Sequence, residues 1–205
     1  MQIYFAPTSP FARKVRVLAH EAGIHDRIHW LPVDPWNSEE LRRINPLGKV
    51  PALLLPDGRS YCDSPLICEY LDAISGHRAF PAVGEARWRA LHLQALADGL
   101  CDALVRRHIE LRLPAEQRSE AVVARQAEAV DATGSALDAQ ADRFTEVPTI
   151  GEMAVGCAVG YLDFRCPDSH WRIRWPHLAH WYAGFARRAS MLATQPPGTA
   201  NAGSA

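Results

Sequence analysis

The chain has 205 residues, 48% of them hydrophobic and 22% charged, and its 22 Lys and Arg against 23 Asp and Glu leave a formal net charge of −1. That length suits one large or two small domains, and the apolar share supports a packed core and excludes a disordered chain. Balanced charge supplies no field for nucleic acid or anionic lipid, and no apolar stretch approaches the ~20 residues of a membrane span.

Residues 1–20 carry Arg13, Lys14 and Arg16 in place of a signal peptide's apolar core, so a cytoplasmic protein is expected. Short β-type runs alternate with helical patterns up to about residue 80. Residues 2–5 form a β-rich run that Pro7 ends. A helix follows over 10–22, with Phe11, Val15, Leu18, Ala19 and Ala22 on one face and Gly23 as its stop. Residues 28–31 read as a second strand, parallel to the first because a helical crossover joins them. A short helix over 38–44 starts at a Ser38 cap. Residues 52–55 and 60–62 flank the hairpin signal Pro56-Asp57-Gly58-Arg59, and a helix over 64–74 closes the region.

Composition changes near residue 80: of 32 alanines, 7 precede it and 25 follow. The segment Ser75-Gly76-His77-Arg78-Ala79-Phe80-Pro81 reads as a helix stop and a linker. We therefore expect a mixed domain over 1–77, a linker over 78–84, an all-helical domain over 85–192 and a flexible, Pro/Gly-containing tail over 193–205. In the helical part, Leu93, Leu96, Ala97, Leu100, Cys101, Leu104 and Val105 mark a helix over 85–111. Val123, Ala127, Val130, Leu137, Ala141 and Phe144 recur at heptad-like spacing on a second. A third starts at Thr149 and is apolar on most sides, as the centre of a bundle requires. A fourth is expected over 176–188.

The five cysteines (Cys62, Cys68, Cys101, Cys157, Cys166) form no C-x-x-C pair, which argues against a disulfide framework and for reduced thiols. Isolated pairs such as His25/His29 and His177/His180 fall short of the four ligands of a structural zinc site, so no metal is expected.

Four segments stand in order along the chain: Thr8-Ser9-Pro10-Phe11, Asn45-Pro46-Leu47-Gly48-Lys49-Val50-Pro51, Asp63-Ser64 and Thr149-Ile150-Gly151-Glu152. With the β-α-β-α-β-β-α order and the helices after it, they resemble the glutathione transferase family. There they look like the place where omega-like members carry Cys-Pro-Phe, the approach to a cis-proline, the acidic-Ser pair opening the third helix, and the capping box of the central helix. The resemblance spans about residues 1–192 and is closest to bacterial members with the same NPLGKVP and DSP segments. It implies an α/β thioredoxin-like N-terminal domain, an all-α C-terminal helical bundle, a homodimer, and glutathione as co-substrate for attack on a small electrophile or reduction of a peroxide. A glutathione-dependent isomerase and a non-catalytic ligand-binding or assembly module stay open as alternatives, because fold does not fix function.

Ser9, before Pro10, is an N-cap on its face. The same hydroxyl, at the positive end of a helix, can donate to a glutathione thiolate; a hydrogen bond to a charged group contributes ~1.5–3 kcal/mol, or about 1–2 pKa units. Thr8 is the near rival and Tyr4 a weaker candidate. Serine, unlike cysteine, forms no mixed disulfide, so the thiol-reductase chemistry of omega-like members does not carry over. Cys62, next to Asp63, either lies near the site or is a buried strand cysteine. The resemblance implies that Val50, before a cis Pro51, pairs through its backbone with the cysteinyl part of glutathione, as an added strand does. Asp63 would hold the γ-glutamyl ammonium, with Ser64 and the helix amides on its carboxylate. Lys49 either reaches the glycyl carboxylate or is a solvated loop charge. Trp36 either offers its indole N–H to the same end or packs partly on the core. Arg13 faces the site or solvent. Asp98 and Asp102 either reach the partner subunit's γ-glutamyl group or are solvated, and residues 104–113 are the expected apolar wall for the second substrate. The Arg106-Arg107-His108 and Arg187-Arg188 runs read as solvated helix faces.

Overall fold

The computed structural model describes residues 1–76 and 78–198. The chain separates into two compact units. The first is Met1–Arg87 together with the described residues from Ala189 onward, and the second is Trp88–Arg188.

The first unit is a four-stranded mixed sheet with helices. Strand β1 (Gln2–Phe5) leads into helix α1 (Pro10–Glu21), and β2 (His29–Pro32) follows, parallel to β1 as the crossover requires. Helix α2 (Glu39–Ile44) starts at Ser38, whose hydroxyl oxygen accepts from the Leu41 amide at 3.1 Å. Strands β3 (Ala52–Leu54) and β4 (Ser60–Tyr61) form the expected antiparallel hairpin, with Gly58 at φ +86° in its turn, and α3 (Ser64–Ser75) closes the unit. The strand order is β2-β1-β3-β4. Ile3, Val15, Leu18, Leu53, Ile67 and Leu71 are fully buried in its core.

Two expectations for the borders of this unit change. The linker expected from residue 78 is anchored at its start. The buried Asp72 carboxylate accepts from the backbone N–H of Arg78, Ala79 and Phe80 at 2.9, 2.6 and 3.2 Å. Residues 189–192, expected with the helical bundle, and Ala193, expected in a flexible tail, form helix α9 (Ala189–Ala193) of the first unit instead. The cause is a buried cation: Arg13 donates to the Met191 carbonyl at 3.1 Å and to the Thr194 hydroxyl at 3.4 Å. His77 and residues 199–205 of the expected tail lie outside the described residues.

In the second unit α4 (Gly84–Leu111), whose first turn belongs to the other unit, is the long helix the periodicity predicts. Helix α5 (Glu120–Asp138) is shorter than the heptad pattern suggests, and Ala141 lies in a separate 3-10 turn, with Phe144 just beyond it. A tertiary contact accompanies the stop: the Asp138 carboxylate accepts from the Leu178 amide at 2.8 Å, capping helix α8 (Pro176–Phe185) from outside. Helix α6 (Ile150–Arg165) is buried without interruption from Ile150 to Leu162 and forms the centre of the unit. The short α7 (Trp171–Arg174) had no signal in the periodicity, and α8 ends at Phe185, short of residue 188. Helices approach α6 and α5 closely through glycine. A Cβ at Gly156 would lie 2.3 Å from the Phe185 ring, and one at Gly134 2.1 Å from Trp175.

Candidate functional site

The sheet registers bring four loops to one end of the first unit. β1 and β2 leave side by side, Phe5 opposite Pro32. β3 enters at that end, Ala52 opposite Tyr4, and β4 leaves toward it, Tyr61 opposite Leu53. The segments after β1, after β2, before β3 and after β4 therefore share one edge. They carry Thr8 and Ser9, Trp36, Lys49 to Pro51, and Asp63 and Ser64.

Ala6, Pro7, Thr8 and Ser9 form a β-turn, with Pro7 at its second position and the Ser9 amide 2.9 Å from the Ala6 carbonyl. Ser9 then caps α1: its Oγ accepts from the Ala12 amide at 3.2 Å, and Pro10 opens the helix. The cap uses a lone pair, so the hydroxyl proton stays available for an acceptor. Pro10 has no N–H and the Arg13 amide binds the Ser9 carbonyl at 3.0 Å, which leaves Phe11 as the first-turn donor outside the cap. No acidic residue occupies this first turn, so the positive end of α1 is not neutralised from within. Ser9 is half-buried, whereas Thr8 is exposed.

The start of α3 is organised differently. Asp63 is its N-cap residue, Ser64 its first helical residue, as expected, and Pro65 its second. The Asp63 side chain makes no capping bond and is exposed, while Ser64 is buried. The Ile67 amide is taken by the Asp63 carbonyl at 3.0 Å, which leaves the Ser64 and Leu66 amides of the first turn without an intrahelical acceptor, next to a carboxylate that does not cap them. One negative group thus stands next to two unused donors and a hydroxyl. The arrangement suits a ligand end that carries both an ammonium and a carboxylate.

Between these, Asn45 shapes the loop into β3. Buried itself, it donates to the Lys49 carbonyl at 2.8 Å, and its Oδ1 accepts from the Leu47 amide at 3.1 Å. Its carbonyl accepts from Gly48, whose φ of +62° explains the glycine. The loop ends in a cis Val50–Pro51 bond, and the Cys62–Asp63 bond is cis as well. Lys49 is exposed. Trp36 is 70% exposed, which excludes core packing; its loop is held by Asp34 on its amide (3.0 Å) and Arg42 on its carbonyl (2.9 Å).

Other candidates stand elsewhere. Arg13 faces neither the site nor solvent, because the segment from Met191 to Thr194 covers it. Tyr4 is buried and its hydroxyl donates to Glu40 at 2.7 Å; burial first, and Glu40 second, push its pKa up to about 12. A phenol so held is a poor thiolate activator. Cys62 is not a buried strand cysteine: β4 ends at Tyr61, and Cys62 just beyond it is a half-buried free thiol. Asp98 is half-buried and Asp102 exposed on α4 of the helical unit, where Leu104 is buried and Ile109 and Leu111 are exposed. The Thr149–Glu152 capping box is present as expected. The sequence reading missed Asn45, Arg42, Asp72 and Glu40. An Asn-Pro-x-Gly run signals the Asx turn at Asn45; the others act through partners six or more residues away in the chain.

A thioredoxin-like unit followed by an all-helical one, with open helix starts gathered at one sheet edge, defines the class of the protein. The N-terminal-domain family of glutathione S-transferases matches residues 8–74 and the C-terminal-domain family matches residues 120–184. The chain is 34% identical over 202 residues to the uncharacterized GST-like protein YibF of Escherichia coli K12, covering 96% of this chain and 99% of that one. It is 40% identical to a glutathione transferase family member of Pseudomonas fluorescens Pf-5, solved with bound glutathione (TM-score 0.92, covering 96% of this chain and 98% of that one). A second crystal structure of a family member from that strain, with bound S-(propanoic acid)-glutathione, is also 40% identical (TM-score 0.88, 96% and 100%). The chain belongs to the glutathione S-transferase family.

Proposed function

We propose that this protein is a glutathione transferase: it binds glutathione at the shared sheet edge of the first unit and adds its sulfur to a small electrophile. The observation that carries the reading is the start of α3, where an uncapped Asp63 carboxylate stands beside the Ser64 hydroxyl and the unused Ser64 and Leu66 amides. Asp63 takes the γ-glutamyl ammonium, and Ser64 with the helix amides takes its α-carboxylate. The Val50 backbone pairs with the cysteinyl residue, and Lys49 and Trp36 attend the glycyl end. Crystal structures of relatives 40% identical to this chain, with glutathione or an S-substituted glutathione bound, support the assignment.

The thiol then lies toward α1, where the Ser9 hydroxyl donates to the thiolate and the helix's positive end favours the negative charge. Thr8, exposed in the preceding turn, is the second position for this role. The thiolate lone pair forms the new C–S bond while the electrophile's leaving group departs with its bonding pair, or while a conjugated double bond takes up the electrons and then a proton. With a peroxide, the thiolate attacks oxygen and the O–O bond breaks, giving an alcohol and a glutathione sulfenic acid; a second glutathione converts that to disulfide and water. Such a protein acts as a homodimer and needs no metal.

The test is an ultraviolet titration of the bound thiolate against pH for wild type, Ser9→Ala and Thr8→Val. A thiol titrating below free glutathione in wild type, and at the free value in Ser9→Ala, supports activation by Ser9; the same result in Thr8→Val alone moves the role there. If glutathione binds and no variant alters its thiol, the protein is a binding module. Sedimentation at micromolar concentration checks the dimer.

A further inference from the structure

Helix α1 places its charges against its own field. A helix favours anions at its start and cations at its end. Yet α1 has no acid in its first turn and carries Arg13, Lys14 and Arg16 within its first seven residues, with Glu21 as its last. Arg13 and Lys14 are also buried, at 6% and 1% exposure. That arrangement works against the fold, and a separate piece of chain holds it in place.

The piece is the C-terminal segment 190–194. Arg13 donates to the Met191 carbonyl at 3.1 Å and to the Thr194 hydroxyl at 3.4 Å, and Arg16 donates to the Ala193 carbonyl at 3.3 Å, while Glu21 accepts from the Ser190 hydroxyl. Ser190, Met191 and Thr194 are buried in turn, and the Thr194 hydroxyl gives its proton to the Ser190 carbonyl at 2.8 Å. Both partners of Arg13 are therefore neutral. Among the described residues no carboxylate lies within ion-pair distance of it.

The elements packed on α1 do not neutralise it either. Helix α3 and its cap bring Asp63, Cys68, Glu69, Tyr70 and Asp72, the 3-10 turn after α1 brings His25, Asp26 and Arg27, and α9 brings no titratable group. Asp72 is bound to the amides of Arg78, Ala79 and Phe80, and Glu69 to Arg87 at 2.7 Å. His25 and Asp26 lie beyond the far end of α1, where His25 stacks on His20.

A charge without a counter-ion under a dry cover acts further than a solvated one, because little water screens it. Arg13 stands one turn along the helix from Ser9, and its amide binds the Ser9 carbonyl at 3.0 Å. At ~1.5 Å of rise per residue, their backbones are only about 6 Å apart along the axis. Its charge therefore adds to the positive end of the helix, where a thiolate gains and a neutral thiol does not.

We propose that Arg13 is an electrostatic residue of the transferase reaction: from beneath segment 191–194, and touching neither thiol nor substrate, its charge stabilises a thiolate at the start of α1. The identity of that thiolate as glutathione's rests on the function proposed above; the field of Arg13 does not.

The first arm of the test needs no glutathione. Ser9→Cys puts a thiol at the helix start, and its alkylation by iodoacetamide against pH, followed at that position by peptide mass spectrometry, gives its pKa. That thiol is expected to ionise below the ordinary ~8.5. Adding Arg13→Met should raise its pKa by about 0.5–1 unit, an about three- to tenfold change in the ionisation constant. Adding Arg13→Lys, which keeps the charge, should raise it by less than half as much. Arg43→Met removes an exposed cation of α2 and should change nothing. The second arm makes the same Arg13 substitutions beside the native Ser9 and titrates the bound glutathione thiol, with the same order expected. Circular dichroism establishes folding; should Arg13→Met not fold, Arg13→Gln, neutral and still a donor for the Met191 carbonyl, carries the test. An introduced thiol indifferent to the neutral variant, or raised as far by Arg13→Lys, overturns this proposal. So does a bound glutathione thiol that titrates low and ignores Arg13. A wild type that binds no glutathione overturns the function proposed above and leaves the field of Arg13 standing on the first arm.

Discussion

The starts of α1 and α3 in the first unit and the start of α6 in the second face the same physical problem of unpaired backbone amides and solve it in opposite ways. At α6 the Glu152 carboxylate and the Thr149 hydroxyl are both spent within the protein. Buried Glu152 accepts from the Thr149 amide at 3.0 Å and from the Thr149 hydroxyl, from both the amide and hydroxyl of Thr145, and from Arg89, while Thr149 in turn caps the Gly151 amide at 3.2 Å. At α3 the cap residue makes no cap, and at α1 the cap leaves a hydroxyl proton unspent. A helix start closed on itself serves the fold, while one left open beside an exposed acid has capacity for a ligand.

The largest expected effect lies on the closed side. Glu152→Ala strands the Thr149, Thr145 and Arg89 donors and should destabilise the protein by about 3 kcal/mol in urea unfolding. A loss under 1 kcal/mol would show that the α6 start is less closed than its hydrogen bonds indicate. Gly156→Ala pushes a methyl into the Phe185 ring and should cost about 1–3 kcal/mol, read as a lowered urea midpoint.

On the open side the ledger should reverse. Asp63→Asn is expected to weaken glutathione ten- to a hundredfold by calorimetry while changing stability by no more than about 0.5 kcal/mol. A stability loss as large as that of Glu152→Ala would erase the distinction. Ser9→Ala should show both faces of a half-used cap: about 1 kcal/mol of stability, and a bound thiol whose pKa rises by about 1–2 units.

The smallest effect concerns pH. Tyr4 is held protonated, with its pKa raised from 10.0 to about 12. The folded state therefore binds a proton more tightly than the unfolded chain. That contribution is full below pH 10 and declines as pH rises from about 10 to 12. Tyr4→Phe should flatten the stability profile in that window, and an unchanged alkaline slope would remove Tyr4 as its source.

Most of the element order was legible because its signals are local. Ser9, Ser38 and Thr149 cap helices through bonds to amides two or three residues ahead, and Gly58 and Gly76 stand at positive φ in a turn and at a helix end. The helix start at Ser64, after Asp63, was read from the sequence as it stands. Several departures depend on a partner far along the chain. Asp138 caps α8 across 40 residues, the Met191–Thr194 segment covers Arg13 across about 180, and Glu40 takes the Tyr4 hydroxyl across 36.

By itself, then, the sequence determined the alternation of strands and helices, the helix starts and the two textures of the chain, because propensity, capping and turn chemistry act within a few residues. The tertiary structure decided which of these starts lie together. Only the strand registers bring the loops of Ser9, Trp36, Val50 and Asp63 to one sheet edge, and only the return of the chain through α9 covers Arg13. Periodicity tells which face of an element is apolar; which other element meets it depends on contacts that no local pattern encodes.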